Sequence, residues 1–119
     1  MVSSVEDVEK WLGQPLPEPY RSFLAGVTDD FPAANDRTLV YCSASVVERN
    51  ETYQSRLYCP AHVAIGDDSG GMFLILSLAD GSIHRAGMGA MTPDCLEPVA
   101  PNFTAWADAG FPYEGRHPT

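Results

Sequence analysis

Residues 62–86 constrain the fold more than any other segment of this sequence. Their apolar runs are separated by two turn signals, a glycine-rich segment at 66–71 and Ala79-Asp80-Gly81, as is typical of antiparallel strands joined by tight turns. Residues 72–78 are apolar on both alternating faces, so this strand is predicted to be central and covered on both sides. The segment therefore predicts a three-stranded meander, with helices supplying much of the cover.

Two amphipathic helices are predicted before this sheet. Serines at 3–4 precede acids at the spacing of a capping box, which predicts a first helix whose apolar face reaches Leu12 and which ends at Gly13. A second helix is predicted from four apolar residues at i, i+3, i+4 and i+7, namely Tyr20, Phe23, Leu24 and Val27. Pro17 and Pro19 are expected in its first turn, where their missing amide hydrogens cost little.

The remaining segments complete a predicted α+β fold. Residues 28–37 are predicted to form a loop, 38–42 a strand, and 45–54 a polar helical segment that opens at a second capping box. Residues 93–101 are predicted to be turn-like, followed by a last short helix with Phe103 and Trp106 on one face.

The expected architecture is a single domain. A central, mostly antiparallel sheet is packed with N-terminal and C-terminal helices over residues 1–112. Residues 113–119 have no apolar period and are expected to form a mobile tail.

The charge balance narrows the classes of partner. Sixteen acidic against seven basic residues give a net charge of −9, with Lys10 as the only lysine and six scattered arginines. Nucleic acids and anionic membranes bind clustered positive charge, so neither is expected as a partner. The same charge suits a basic protein, whose approach it would steer. The N-terminus carries acids where a secretory signal needs a basic region, so we expect a cytoplasmic location.

Catalytic and metal chemistry have little support in the sequence. Cys42, Cys59 and Cys95 form no close pair, and the Cys59 to His62 spacing lacks the second ligand pair of a structural metal site. His62 and His84 fall on predicted strands separated by a hairpin and could approach each other, yet the sequence places no Ser, Cys or acid to complete a catalytic set with them. We therefore predict no catalytic residues, no metal, no cofactor and no enzymatic activity.

Four features follow one another along the chain. They are the segment LPEPYRSFL at 16–24, the Ile-Gly-Asp-Asp sequence at 65–68 ahead of two glycines, the apolar strand with its Asp-Gly turn, and a C-terminal helix that begins near Phe103. In this order and spacing they resemble the SUKH superfamily over about residues 5–110. The chain departs from the family pattern at Pro19, at the doubled Asp, and at Asn102, where the family usually has Ser.

The resemblance implies a single α+β domain that acts as a protein-binding module. In bacteria such domains serve mostly as immunity proteins against a secreted polymorphic toxin, and no catalytic residues come with the likeness. It also implies structural roles for the signature residues: Tyr20, Phe23 and Leu24 in the core, Gly66 and Asp67 in loop geometry.

The leading hypothesis is a cytoplasmic immunity protein that binds and occludes a cognate basic toxin domain, such as a nuclease. A regulatory scaffold domain without a toxin partner is the alternative, and a small enzyme or ligand-binding domain with a pocket at the sheet edge is the third reading. The acids of the loops and of the polar segment are the predicted contact residues: Asp29, Asp30, Asp36, Glu48, Glu51, Asp67 and Asp68. Neither the oligomeric state nor the contact face follows from the sequence.

Overall fold

The computed structural model describes residues 4–114 of the chain. These residues contain five α-helices and a six-stranded antiparallel sheet. The helices are α1 (Val5–Leu12), α2 (Tyr20–Ala25), α3 (Ser43–Thr52), α4 (Ser55–Tyr58) and α5 (Phe103–Asp108). The strands are β1 (Phe31–Pro32), β2 (Leu39–Val40), β3 (His62–Asp67), β4 (Met72–Ser77), β5 (Ile83–Gly87) and β6 (Glu97–Ala100). Within the described range, none of the helices has both the length and the apolar character needed to cross a membrane.

The sheet is a meander in which each strand pairs with its neighbours in sequence, in the order β1 to β6. The β3–β4–β5 meander confirms the sequence prediction, with Asp67 opposite Phe73 and Ile75 opposite His84. Residues 73–76 of β4 have no exposed surface. Because successive side chains of a strand point to opposite faces, this burial requires cover on both sides of the sheet, as predicted.

The predicted first, second and last helices are present, although α2 ends at Ala25 and the predicted helical residue Val27 lies outside it. Ser4 caps α1 by accepting a hydrogen bond from the Asp7 amide, and Asn102 caps α5 in the same way. Pro17 and Pro19 do not form the first turn of α2 as predicted, since the helix begins at Tyr20 and Pro19 is its N-cap residue. Residues that precede a proline disfavour helical backbone angles, which keeps the segment before Pro19 outside the helix.

Two short strands were not predicted. Strand β1 lies in the predicted loop 28–37 and pairs with β2, and β6 lies in the segment predicted to be turn-like. Both strands contain a proline and lie at the edges of the sheet, where a missing amide hydrogen breaks no central ladder.

Helix α3 begins at Ser43, two residues before the predicted capping serine. Ser45 donates its hydroxyl to Asp30 instead of capping the helix. Residues 115–119 of the predicted tail lie outside the described residues, whereas the Tyr113 ring centroid lies 4.6 Å from the Arg37 guanidinium.

The N- and C-terminal helices meet in an aromatic cluster beside the sheet. The rings of Tyr20 and Phe23 on α2 contact Phe103 on α5. Phe111, which follows α5, contacts both Phe23 and Trp106. The Tyr20 side chain is buried as the resemblance implied, while Phe23 is only half-buried. The cluster explains how segments about 80 residues apart in sequence form one core.

Replacing Tyr20 by Phe is expected to leave the free energy of unfolding unchanged at pH 7 or to raise it by about 1 kcal/mol, because the buried Tyr20 hydroxyl has no hydrogen-bond partner in the described structure. Burial also raises the pKa of Tyr20 above its ordinary value of 10.0. Below pH 10 the phenol is neutral in both the folded and the unfolded chain, so its full contribution to stability is present. Above pH 10 it ionises first in the unfolded chain, and the free energy of unfolding falls as the pH rises. The advantage of the variant should grow between about pH 10 and 11 in urea unfolding. A clear loss of stability at pH 7 would contradict this assignment.

Candidate protein-binding surface

A cavity of about 460 Å³ opens between α3 and the ends of β2 and β3. Three of the seven acids predicted from the sequence, Asp30, Glu48 and Asp67, line it. Other residues that line it are Leu39, Tyr41, Ala44, Ser45 and Arg49. We call this feature the acidic cavity.

Asp30 is fixed in the acidic cavity by the start of α3. One carboxylate oxygen accepts the Cys42 amide at 2.8 Å, and the other accepts the Ser45 hydroxyl at 2.8 Å. The carboxylate thus satisfies one of the amides left free at a helix N-terminus, where negative charge is also favoured by the helix dipole. Asp30 has both a structural role and an exposed position.

Asp67 is fixed by the neighbouring strand and by its own turn. Its Oδ2 accepts the Tyr41 hydroxyl at 2.5 Å, and its Oδ1 accepts the Ser69 amide at 2.9 Å. Burial and this hydrogen bond raise the pKa of Tyr41, so the hydroxyl remains a donor at neutral pH. The Asp67 carboxylate therefore has a defined orientation at the cavity wall.

Glu48 and Arg49 form an ion pair at the rim of the acidic cavity, with 2.5 Å between Arg49 Nε and Glu48 Oε2. The hydrogen bond from Arg49 holds the pKa of Glu48 below its ordinary value. Arg49 is the single basic residue among those that line the cavity, against three carboxylates. The cavity is therefore negatively charged at neutral pH.

The other four predicted acids lie elsewhere. Asp29 precedes Asp30 and is exposed, as is Asp36 in the turn between β1 and β2. Glu51 lies on α3 and lines a different cavity. Asp68 is only 5% exposed, and its carboxylate accepts the amides that close the β3–β4 turn. The structure therefore places Asp68 in the loop framework rather than on the surface.

A comparison with models of protein families shows which family the chain belongs to. The sequence model of the SMI1 / KNR4 family (SUKH-1) matches residues 3–109. The chain belongs to this family. The match confirms the resemblance to the SUKH superfamily that the motifs carried, and it places the chain in the SMI1/KNR4-like class of domains. A comparison with curated proteins finds no significant match.

The Ile-Gly-Asp-Asp motif of this SUKH-1 chain has a structural explanation. Gly66 pairs with Val40 of β2, Asp67 binds Tyr41, and Asp68 closes the turn to β4. The motif therefore joins three strands, and its Asp67 lines the acidic cavity.

The histidines of the SUKH-1 domain have polar neighbours that the sequence prediction missed. The ring centroids of His62 and His84 are 6.4 Å apart, and the Ser82 hydroxyl oxygen lies 2.7 Å from His84 Nε2 and 2.6 Å from Asp80 Oδ1. A serine and an acid thus lie beside His84, because the tight β4–β5 turn folds Asp80 and Ser82 back toward the strand.

The order of these groups differs from that of a catalytic triad. Hydrogen bonds from Ser82 lower the pKa of Asp80 to about 2, so Asp80 is an ionised carboxylate that accepts a hydrogen bond from the Ser82 hydroxyl. His84, whose pKa burial lowers, lies 2.7 Å from the same Ser82 oxygen through Nε2, and among the described residues its Nδ1 has no hydrogen-bond partner. A catalytic triad has an acid bonded to the second ring nitrogen of its histidine. Within residues 4–114, no group of three or more His, Cys, Asp or Glu side chains is arranged to hold a metal ion.

Helix α4 of the SUKH-1 domain was not predicted from the sequence. Leu57 and Tyr58 on α4 are 69% and 55% exposed, the two large apolar side chains that stand out from the described surface. The signal available in the sequence was an apolar pair after Arg56 in a segment with no helical or strand period. Such a segment has no predicted core face, so its apolar residues are candidates for the surface.

Proposed function

We propose that this SUKH-1 chain is a cytoplasmic immunity protein that binds a cognate basic toxin domain and neutralises it by occluding its active site. The observation that carries the proposal is the acidic cavity, in which Asp30, Glu48 and Asp67 are held in fixed positions around an open space. The family class supports a protein-binding role. In this proposal the chain acts by contact, without catalysis and without a cofactor.

Fixed carboxylates are suited to a lysine or arginine side chain from a partner. Their orientation is already determined by the hydrogen bonds from Cys42, Ser45 and Tyr41, so little side-chain freedom is lost on binding. Charged hydrogen bonds to a guanidinium or ammonium group are also stronger than neutral ones. The net charge of −9 would increase the rate of encounter with a basic surface at low salt.

Replacing Glu48 by Lys is expected to slow association with the toxin domain by about tenfold at low salt and to flatten its salt dependence. The Glu48 side chain is exposed, and Arg49 is the partner described for it, so the substitution should leave the fold intact. Asp108→Lys on α5 changes the net charge by the same amount at an exposed site outside the cavity. Stopped-flow association rates measured across salt concentrations compare the two variants. Equal slowing in both would show that only overall charge matters.

Rescue of growth tests the proposed function directly. Immunity predicts that a neighbouring gene encodes a toxin-like C-terminal domain, which is expressed in a bacterial host, alone and together with the chain. Immunity predicts arrested growth that the wild-type chain restores, and a stable complex in size-exclusion chromatography. A toxic domain that the chain neither binds nor neutralises would overturn immunity and favour the alternative, a regulatory scaffold that binds a cellular client.

A further inference from the structure

Helix α4 stands between two open cavities. Leu57 lines one of about 410 Å³ together with Trp11 and Glu51, and Tyr58 lines the other, of about 350 Å³, beside Met88. The two exposed apolar side chains of α4 are therefore each bordered by a recess. Adjacent recesses give an interface the shape complementarity that a flat apolar patch lacks.

The α4 turn is held firmly in this exposed position. Ser55 donates to the buried Asn50 side chain at 2.7 Å. Arg56 donates to the Trp11 carbonyl at 2.7 Å, and its guanidinium lies 4.4 Å from the centre of the Trp11 ring.

The backbone on either side of α4 is unusual. It is left-handed at Gln54, with φ of 55°, and at Ala61, with φ of 65°, a conformation that non-glycine residues adopt at a cost. The fold therefore maintains, at a cost in free energy, a backbone conformation in which Leu57 and Tyr58 are exposed to solvent. Rigid, exposed apolar anchors are typical of the centre of a binding surface, since little entropy is lost when they are covered.

Exposed acidic residues on α3 lie between the acidic cavity and α4. Ala44, Glu48 and Glu51 follow one another at i, i+4 and i+7 on α3 and are all exposed, so they share one face of the helix. This face begins at the acidic cavity and ends at the recess beside Leu57. Arg56 also lines the recess beside Leu57. The apolar pair therefore lies at the end of an α3 face that carries Glu48 and Glu51.

We propose that α4 and its two recesses are the apolar centre of the docking surface for the toxin domain, an inference that rests on the proposed function. The occupant is a polypeptide surface that places apolar side chains in the recesses and lysine or arginine opposite Glu48 and Glu51. A second copy of this chain is a poorer occupant, because each copy has a net charge of −9 and like charges oppose association.

The double variant Leu57→Ser/Tyr58→Ser tests this assignment. Both residues are exposed, so the variant should keep the wild-type circular dichroism spectrum and melting temperature. The matched control, Ala34→Ser/Thr104→Ser, changes two exposed residues in the β1–β2 turn and on α5. Calorimetric titration uses the adjacent-gene toxin domain, recovered from its complex with this chain by denaturation and refolding. We expect Kd to rise by about 30-fold or more for the α4 variant, and growth rescue to fail, while the control matches the wild type.

The outcomes separate this inference from the proposed function. If the wild type and the α4 variant bind the toxin domain equally well, the docking surface is wrong and immunity stands. If the wild type does not bind, immunity is wrong and the docking surface is rejected with it. Light scattering that finds a wild-type dimer, abolished in the α4 variant, would assign the surface to self-association and also overturn the inference.

Discussion

Replacing Asn50 by Ala is expected to lower the free energy of unfolding by about 3–4 kcal/mol. Asn50 is 1% exposed, and its amide nitrogen donates to the carbonyls of Val46 and Ala64. Its carbonyl oxygen accepts the Ser55 hydroxyl and the Ala64 amide. One side chain thus joins α3, α4 and β3. Its removal leaves several buried polar groups without partners, each at a cost of about 1–3 kcal/mol.

Urea unfolding of the Asn50 variant is best compared with Asn102→Ala. Asn102 is exposed and makes a single hydrogen bond as the cap of α5, so its loss should cost about 1 kcal/mol. The same atoms are removed in both variants, and the difference between them measures what burial and the additional partners contribute. A loss at Asn50 no larger than at Asn102 would mean that water or local rearrangement satisfies the groups left behind.

The fold was predictable wherever a local pattern determines it. Helices α1 and α5 have a cap and an apolar face within a few residues, and β4 is apolar throughout. Strands β1 and β6 lack such a pattern, because they are two and four residues long and contain proline. Their pairing depends on the neighbouring strand rather than on their own sequence.

The candidate site was predictable only in part. Acidic residues could be identified as surface groups, but their convergence depends on contacts between distant segments. Asp67 meets Tyr41 across 26 residues, and Asp30 meets Ser45 across 15. Sequence reasoning also treated Asp68 as a surface acid, since nothing in a glycine-rich loop indicates which of two adjacent carboxylates turns inward. The left-handed backbone at Gln54 that orients α4 is likewise not signalled by a glycine.

Replacing Gly66 by Ala is expected to lower the free energy of unfolding by about 3 kcal/mol. A Cβ atom at this position would lie 2.6 Å from the Leu39 carbonyl oxygen, a backbone atom of the paired strand β2 that cannot rotate away. The glycine is therefore required by the close approach of two strands and not by its own φ angle.

The same substitution should weaken binding of the toxin domain beyond its effect on stability. Moving β2 away from β3 would separate Tyr41 from Asp67, whose hydrogen bond fixes one wall of the acidic cavity. Gly26→Ala is the control, because Gly26 has a φ of −94° and a Cβ there would lie 3.6 Å from the Phe23 carbonyl oxygen, an ordinary contact. This change should alter stability by less than about 0.5 kcal/mol. Thermal unfolding and calorimetric titration of both variants measure the two effects. If Gly66→Ala were as stable as Gly26→Ala, β2 would have to be free to move away from β3, and the acidic cavity could not be the fixed site on which the proposed function depends.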